Sequence, residues 1–121
     1  MKAIVVGMGK LGYEIAAQLV AGGYDTVVID QAEERLAPVT EQLDVLPLAG
    51  NGAAPRLLQQ AGAGDAALFV AVSGSDEVNM VACLMAKRLG AALTVARLRN
   101  LEYFDLNDDV FSNPLFGIDV A

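Results

Sequence analysis

Short β-branched runs alternate with longer stretches of helical periodicity along the whole chain. Strand-like runs fall at 3–6, 26–29, 45–48, 67–72 and 93–97. Between the first two, Leu11, Ile15, Ala16, Leu19 and Val20 recur at helical spacing, and Gly22-Gly23 supplies a stop. A second helix is expected over 32–42, kinked or restarted at Pro38 because proline removes a backbone donor. Pro55 suits the first turn of a third helix that ends near Gly62. Ser73 or Ser75 can cap a fourth that runs to Leu89 before Gly90, with Val78, Val81, Ala82, Met85 and Leu89 as its buried stripe. A short helix within 100–109, the turn Ser112-Asn113-Pro114 and an apolar run over 115–120 complete the pattern. Alternation of this kind predicts an α/β fold with a parallel sheet, six-stranded, covered by helices on both faces.

The 121 residues fit one domain, 1–121, and leave no room for a second substrate-binding one. Because the chain stops inside an apolar run, it is expected to be part of a longer polypeptide. With 55% hydrophobic and 19% charged residues, intrinsic disorder is excluded. A net charge of -7 repels phosphate backbones and anionic headgroups, so neither nucleic acid nor a lipid surface is an expected partner. No apolar run approaches the roughly 20 residues that span a bilayer, and Met1-Lys2 leads into too short an apolar stretch for a signal peptide. The single cysteine, Cys83, cannot form an internal disulfide, which suits a cytoplasmic setting, and the fourth helix is expected to bury it. Histidine is absent, which removes the commonest general base and metal ligand.

Gly7-Met8-Gly9-Lys10-Leu11-Gly12 matches G-x-G-x-x-G between the first strand and the first helix. There the first glycine allows a tight turn, the second lets backbone approach a pyrophosphate, and the third lets helix and strand pack closely. Asp30 stands 18 residues beyond Gly12 at the end of the second strand, where its carboxylate can take both hydroxyls of an adenosine ribose and repel a 2′-phosphate. Gln31 is its neighbour in the candidate site. The plainer reading of Asp30 is an N-cap for the next helix, and both roles can coexist.

Gly50-Asn51-Gly52 follows the third strand and reads either as a contact to adenine or as a turn at positive φ. Ala71, Val72 and Ser73 close the fourth strand, with small side chains and one hydroxyl free to bond a phosphate or ribose. Asp76 and Glu77, just beyond, read better as capping acids at the positive end of a helix than as ligand contacts. Arg97 and Arg99 end the fifth strand on one face, within reach of phosphates or a neighbouring subunit, or else simply solvated. Together these features predict a doubly wound Rossmann fold and an adenine nucleotide as its ligand. The rival class is the cofactor domain of an NAD-dependent oxidoreductase. Against it stand the missing histidine, the lack of a strand-end lysine other than Lys10, and the lack of a substrate domain.

Beyond the glycine motif, three strings carry a resemblance: 61–72, AGAGDAALFVAV; 76–87, DEVNMVACLMAK; and 95–103, VARLRNLEY, followed by Gly117-Ile118-Asp119-Val120. In these the whole chain resembles the N-terminal nucleotide-binding domains of the RCK/KTN (TrkA-N) family, found in the cytosolic regulatory subunits of bacterial Trk potassium-uptake systems. It departs at Asn51, where the family often has an acidic residue, and at Pro38 and Pro47. The resemblance implies NAD(H) or ADP/ATP as ligand and no enzymatic activity. It also implies a homodimer or higher homo-oligomer, held peripherally at the inner face of the membrane by a Trk-type potassium-transport subunit. A continuation of the sheet edge and a smaller C-terminal domain would follow residue 121.

Overall fold

In the computed structural model, which describes residues 1–104 and 118–120, five parallel strands form one sheet. The elements are β1 (Lys2–Val6), α1 (Lys10–Ala21), β2 (Asp25–Asp30), α2 (Glu33–Gln42), β3 (Leu46–Ala49), α3 (Pro55–Ala61), β4 (Ala66–Ala71), α4 (Asp76–Leu89) and β5 (Leu93–Ala96). Single 3₁₀ turns lie at Ala63–Asp65 and Leu101–Phe104. The strand order β3-β2-β1-β4-β5 reverses direction at β1, so a crevice opens between the ends of β1 and β4.

Alternation along the strands builds two cores. Ile4, Val6, Val27, Ile29 and Phe69 face α3 and α4, while Ala3, Val5, Val28 and Val70 face α1 and α2. Strands buried on both faces read as unbroken apolar runs, which is why the sequence pattern located them.

A sixth strand is not formed among the described residues. Where it would run, Val120 makes a single parallel bridge to Val95, and the Ala96 amide donates to the Val120 carbonyl at 2.9 Å. The turn at 112–114 and the apolar run up to residue 117 lie outside the described residues, while Ile118 is buried in the core that faces α3 and α4. Of the helix expected within 100–109, only the 3₁₀ turn Leu101–Phe104 is described.

Neither unusual proline breaks its element. Pro38 stands on the exposed side of a continuous α2, as does Glu34, whose carbonyl loses its helical donor. Pro47 sits on edge strand β3 opposite Val28. The Gly50 amide donates to the Asp30 carbonyl at 3.0 Å, so even-numbered amides face β2 and position 47 faces the free edge, where a donor is not needed.

The buried seam of α4 is Asn79, Ala82, Cys83 and Ala86 rather than the expected stripe, and Val81 is exposed. Small side chains let α4 lie close to the sheet, and the larger Met80, Met85 and Leu89 flank the seam half-buried.

The three glycines of the first loop separate by geometry. A Cβ on Gly12 would collide with the Gly7 carbonyl oxygen, and one on Gly7, where φ is +100°, would come within 2.7 Å of the Ser73 amide nitrogen. A Cβ on Gly9 would meet nothing within 4 Å. Gly12→Ala is therefore expected to lower unfolding free energy by about 3 kcal/mol, the upper end for overpacking. Gly9→Ala should cost only about 0.5 kcal/mol, the scale of a lost glycine cap. Chemical denaturation of the two variants beside the parent checks the contrast, and equal losses would contradict it.

Candidate functional site

The carboxyl ends of the strands surround a cleft of about 440 Å3 at the β1–β4 crevice. Its floor is the turn from β1 into α1. Gly9 caps α1 without any side-chain acceptor, so the first amides of the helix open toward the cleft without intrahelical partners. The volume lies within the ordinary range for small-molecule sites.

Asp30 does more than end β2. Its Oδ2 accepts the Met8 amide at 2.8 Å and its Oδ1 accepts the Ala32 amide at 2.9 Å, which fixes the glycine loop to the neighbouring strand. The cap position of α2 belongs to Ala32, not to Asp30. Each carboxylate oxygen keeps a lone pair, so two hydroxyl donors can still be accepted. Arg35 approaches Oδ2 at 3.9 Å with a largely exposed side chain, a weak ion pair in water.

Among the described residues, four of the chain's eight cationic side chains line this one cleft: Lys10, Arg35, Arg97 and Arg99. Among the described residues, the only carboxylate lining it is Asp30. A protein with a net charge of -7 thus carries a locally positive hollow, suited to an anionic ligand.

Of the candidate site residues, Gly7, Gly9, Lys10, Leu11, Gly12, Asp30, Gln31, Gly50, Asn51, Gly52, Val72, Ser73 and Arg97 line the cleft. Two expected residues do not. Met8 and Ala71 turn their side chains into the two cores, one on each face of the sheet. The Met8 amide serves Asp30, and the Ala71 carbonyl accepts the Arg97 amide at 2.9 Å, extending the β4–β5 pairing by one residue.

The turn reading of Gly50-Asn51-Gly52 holds at Gly50, and the free hydroxyl expected of Ser73 is corrected. Of the glycine-asparagine turn, only Gly50 has positive φ, at +150°. Asn51 instead folds its side chain back, Oδ1 accepting the Ala53 amide at 2.9 Å. Nor is the Ser73 hydroxyl free: Oγ lies 2.7 Å from Asn79 Oδ1.

Asn79 was not among the expected site residues, although a polar side chain at the inward helical phase of Ala82, Cys83 and Ala86 is a signal that the pattern contains. Arg35, five residues beyond Asp30 in the first turns of α2, was also missed.

Asp76 and Glu77 work on the chain beyond β5 rather than on the ligand. Ser75 caps α4, accepting the Val78 amide at 3.2 Å. Both Asp76 oxygens accept the Arg99 amide at 2.9 Å, and Oδ2 also accepts the Asn100 amide at 2.7 Å. The Tyr103 hydroxyl donates to Glu77 Oε2 at 2.7 Å, which holds its phenol proton above the usual range. Burial, reinforced by the Asp119 charge, pushes the Cys83 thiol up to about 12, so it stays protonated as an inert core group.

The family model for the TrkA-N domain matches residues 3–118, and the chain belongs to that family. It is 40% identical over 120 residues to the Trk system potassium uptake protein TrkA of Haemophilus influenzae, an alignment covering 98% of this chain and 26% of that protein. A TrkA homolog of Archaeoglobus fulgidus is 39% identical over 105 residues, covering 87% of this chain and 24% of the homolog. The chain thus spans about a quarter of the length of these curated relatives.

Among solved structures, the TrkA-N domain of the inner membrane protein ybaL from Escherichia coli superposes with a TM-score of 0.78 at 21% identity, covering 98% of this chain and 84% of that one. The GsuK channel bound to NAD gives 0.74 at 16% identity, covering 99% and 21%. The Kef C-terminal domain of Shewanella denitrificans in AMP-bound form gives 0.68 at 21% identity, covering 100% and 72%. At these identities the likeness establishes the fold.

The Asp76 carboxyl lies below its usual range, chiefly through the Arg99 amide, with burial opposing and the Asn100 amide and two arginine charges adding to the effect. A lowered folded value means stabilisation that is present above the ordinary carboxylate range and lost as pH falls through the folded value. The Tm deficit of Asp76→Ala, about 3 °C near neutrality for an exposed charge-assisted contact, should therefore shrink as pH falls below the ordinary carboxylate range. Thermal melts across that range test it, and a deficit independent of pH would refute the assignment.

Proposed function

We propose that this chain is the nucleotide-sensing regulatory domain of a potassium-uptake system. The cleft would hold NAD(H), ADP or ATP, and its occupancy would bias how the domain assembles on a membrane potassium-transport subunit. The observation that carries the ligand reading is Gly9. Its neighbours in the motif are glycine because backbone crowds them, whereas Gly9 faces open space beside uncapped helix amides. Packing explains Gly7 and Gly12 and leaves Gly9 to a ligand.

The pose follows from the walls of the cleft. A pyrophosphate lies over Gly9 and the α1 amides, flanked by the four cations, and the adenosine ribose reaches Asp30. Adenine lies toward Gly50–Gly52. Solved neighbours described as bound to NAD and to AMP support an adenine nucleotide without choosing between them.

The transport half of the proposal rests on the relatives' names. It includes a cytoplasmic location, a homodimer or higher homo-oligomer, a longer polypeptide around this domain, and signalling rather than catalysis. A ligand can shift an assembly only through contacts that differ between the two states, and Arg97 and Arg99 stand where such contacts can form.

Calorimetric titration of the chain with NAD, NADH, ADP and ATP in parallel tests the reading directly. Gly9→Val should abolish binding of every ligand that the parent binds, while circular dichroism stays native. Retained affinity in the folded variant would remove the pyrophosphate from the glycine loop.

Asp30→Ala should weaken all adenosine ligands by about 1.5–3 kcal/mol, the scale of a charge-assisted hydrogen bond. It should also narrow the gap between NAD and NADP, because repulsion of the 2′-phosphate disappears. That ratio isolates the ribose role from the support Asp30 gives to the loop, which affects both ligands alike. A parent that binds NADP as tightly as NAD would place Asp30 away from the ribose.

A further inference from the structure

Asn79 is fully buried on α4, in line with Ala82, Cys83 and Ala86. A side-chain amide at such a position is unfavourable unless its two donors and two acceptor sites are filled. All four are filled, by only two residues, both of which line the cleft. Oδ1 accepts the Ser73 amide at 2.9 Å and lies 2.7 Å from Ser73 Oγ. Nδ2 donates to the Arg97 carbonyl at 2.8 Å and to the Ser73 carbonyl at 3.2 Å. The amide has one possible orientation, since turning it over would set NH2 against the Ser73 N–H and oxygen against two carbonyls.

The Ser73 proton is fixed by the same reasoning. Two oxygens 2.7 Å apart need a proton between them, and an amide oxygen carries none, so Oγ–H points at Asn79. The Ser75 carbonyl, 3.2 Å from Oγ, is then left without that proton, while the Ser75 amide donates to Oγ at 3.3 Å. Ser73 consequently offers the cleft neither its N–H nor its O–H. What remains is an oxygen lone pair, which repels a phosphate oxygen and accepts from a hydroxyl.

The strand order places this lone pair. β1 runs between β2 and β4, so Asp30 and Ser73 stand on opposite sides of the glycine loop. We propose that Asn79 is a positioning residue that makes Ser73 an acceptor-only wall, reading a hydroxyl on the second sugar of a dinucleotide-type ligand and making no contact with phosphate. This rests on the nucleotide reading above and adds what Ser73 selects within it.

Calorimetry on the 121-residue chain with ADP, ADP-ribose and NAD tests the inference. Ser73→Ala should weaken ADP-ribose and NAD about fivefold, the scale of one neutral hydrogen bond, and leave ADP unchanged. Asn79→Ala frees both Ser73 donors, so it should shift the ADP-ribose to ADP affinity ratio in the same direction by about fivefold or more. A merely structural Asn79 would weaken all three ligands alike and leave the ratio fixed, which overturns the proposal. So does a Ser73→Ala variant that loses ADP as much as ADP-ribose, or that loses nothing. If Asn79→Ala does not fold, the Ser73→Ala ratios decide alone. Failure of the unsubstituted chain to bind any of the three would instead overturn the nucleotide reading, and this inference with it.

Discussion

The Gly7 carbonyl occupies the space where residue 12 would carry a side chain, and Gly7 itself lies against the backbone of Val72 and Ser73. Three segments of main chain, the end of β1, the first turn of α1 and the end of β4, thereby meet without side chains between them. This contact sets the tilt of α1 and so the direction in which its free amides point. It also sets the width of the crevice, because β4 cannot move away from β1 without breaking the Val72 amide bond to the Val6 carbonyl, 2.9 Å long. Asp30 closes the arrangement from the other side through the Met8 amide. A loop pinned on both flanks is preorganised, and a ligand would not bear the entropy of ordering it.

Charge is distributed along the same lines. The chain is acidic overall, yet half of its cations gather at the cleft. Net charge governs encounters at long range and opposes nonspecific contact with phosphate polymers, whereas the local cluster acts within a Debye length of about 8–10 Å. The two are compatible because salt screens the distant carboxylates while the nearby guanidinium groups act at contact distance.

Strands, helix order and the glycine loop were legible in the sequence because each leaves a local trace: an unbroken apolar run, a 3.6-residue period, a glycine triplet next to both. Asp30 was legible by its spacing. The failures are equally physical. Met8 and Ala71 belong to the motif strings, but strand alternation and loop curvature turn their side chains into the core, which spacing alone does not reveal. The buried seam of α4 shares only Ala82 with the expected stripe of large apolar residues, because a helix packed tightly on a sheet buries its smallest face. A Val81 that is exposed and an Asn79 that is buried are the two sides of that difference. Pro47 was unusual only as a strand residue; on the outward phase of an edge strand it removes a donor that water would otherwise have to satisfy.

Asn79 and the acids of α4 act together on the chain beyond β5. The Asn79 amide ties the Ser73 turn to the Arg97 carbonyl, and three residues earlier Asp76 takes the Arg99 and Asn100 amides. Glu77 adds the Tyr103 hydroxyl. From Arg97 to Tyr103 the exit from the sheet is thus fastened to the first two turns of a single helix, the helix whose start forms one wall of the cleft. A rearrangement of that wall cannot leave the exit segment in place without breaking charge-assisted bonds, and each such bond is worth more than a neutral one. Arg97 and Arg99 lie on this fastened stretch, so a ligand that draws on their guanidinium groups pulls on the same segment whose backbone α4 holds.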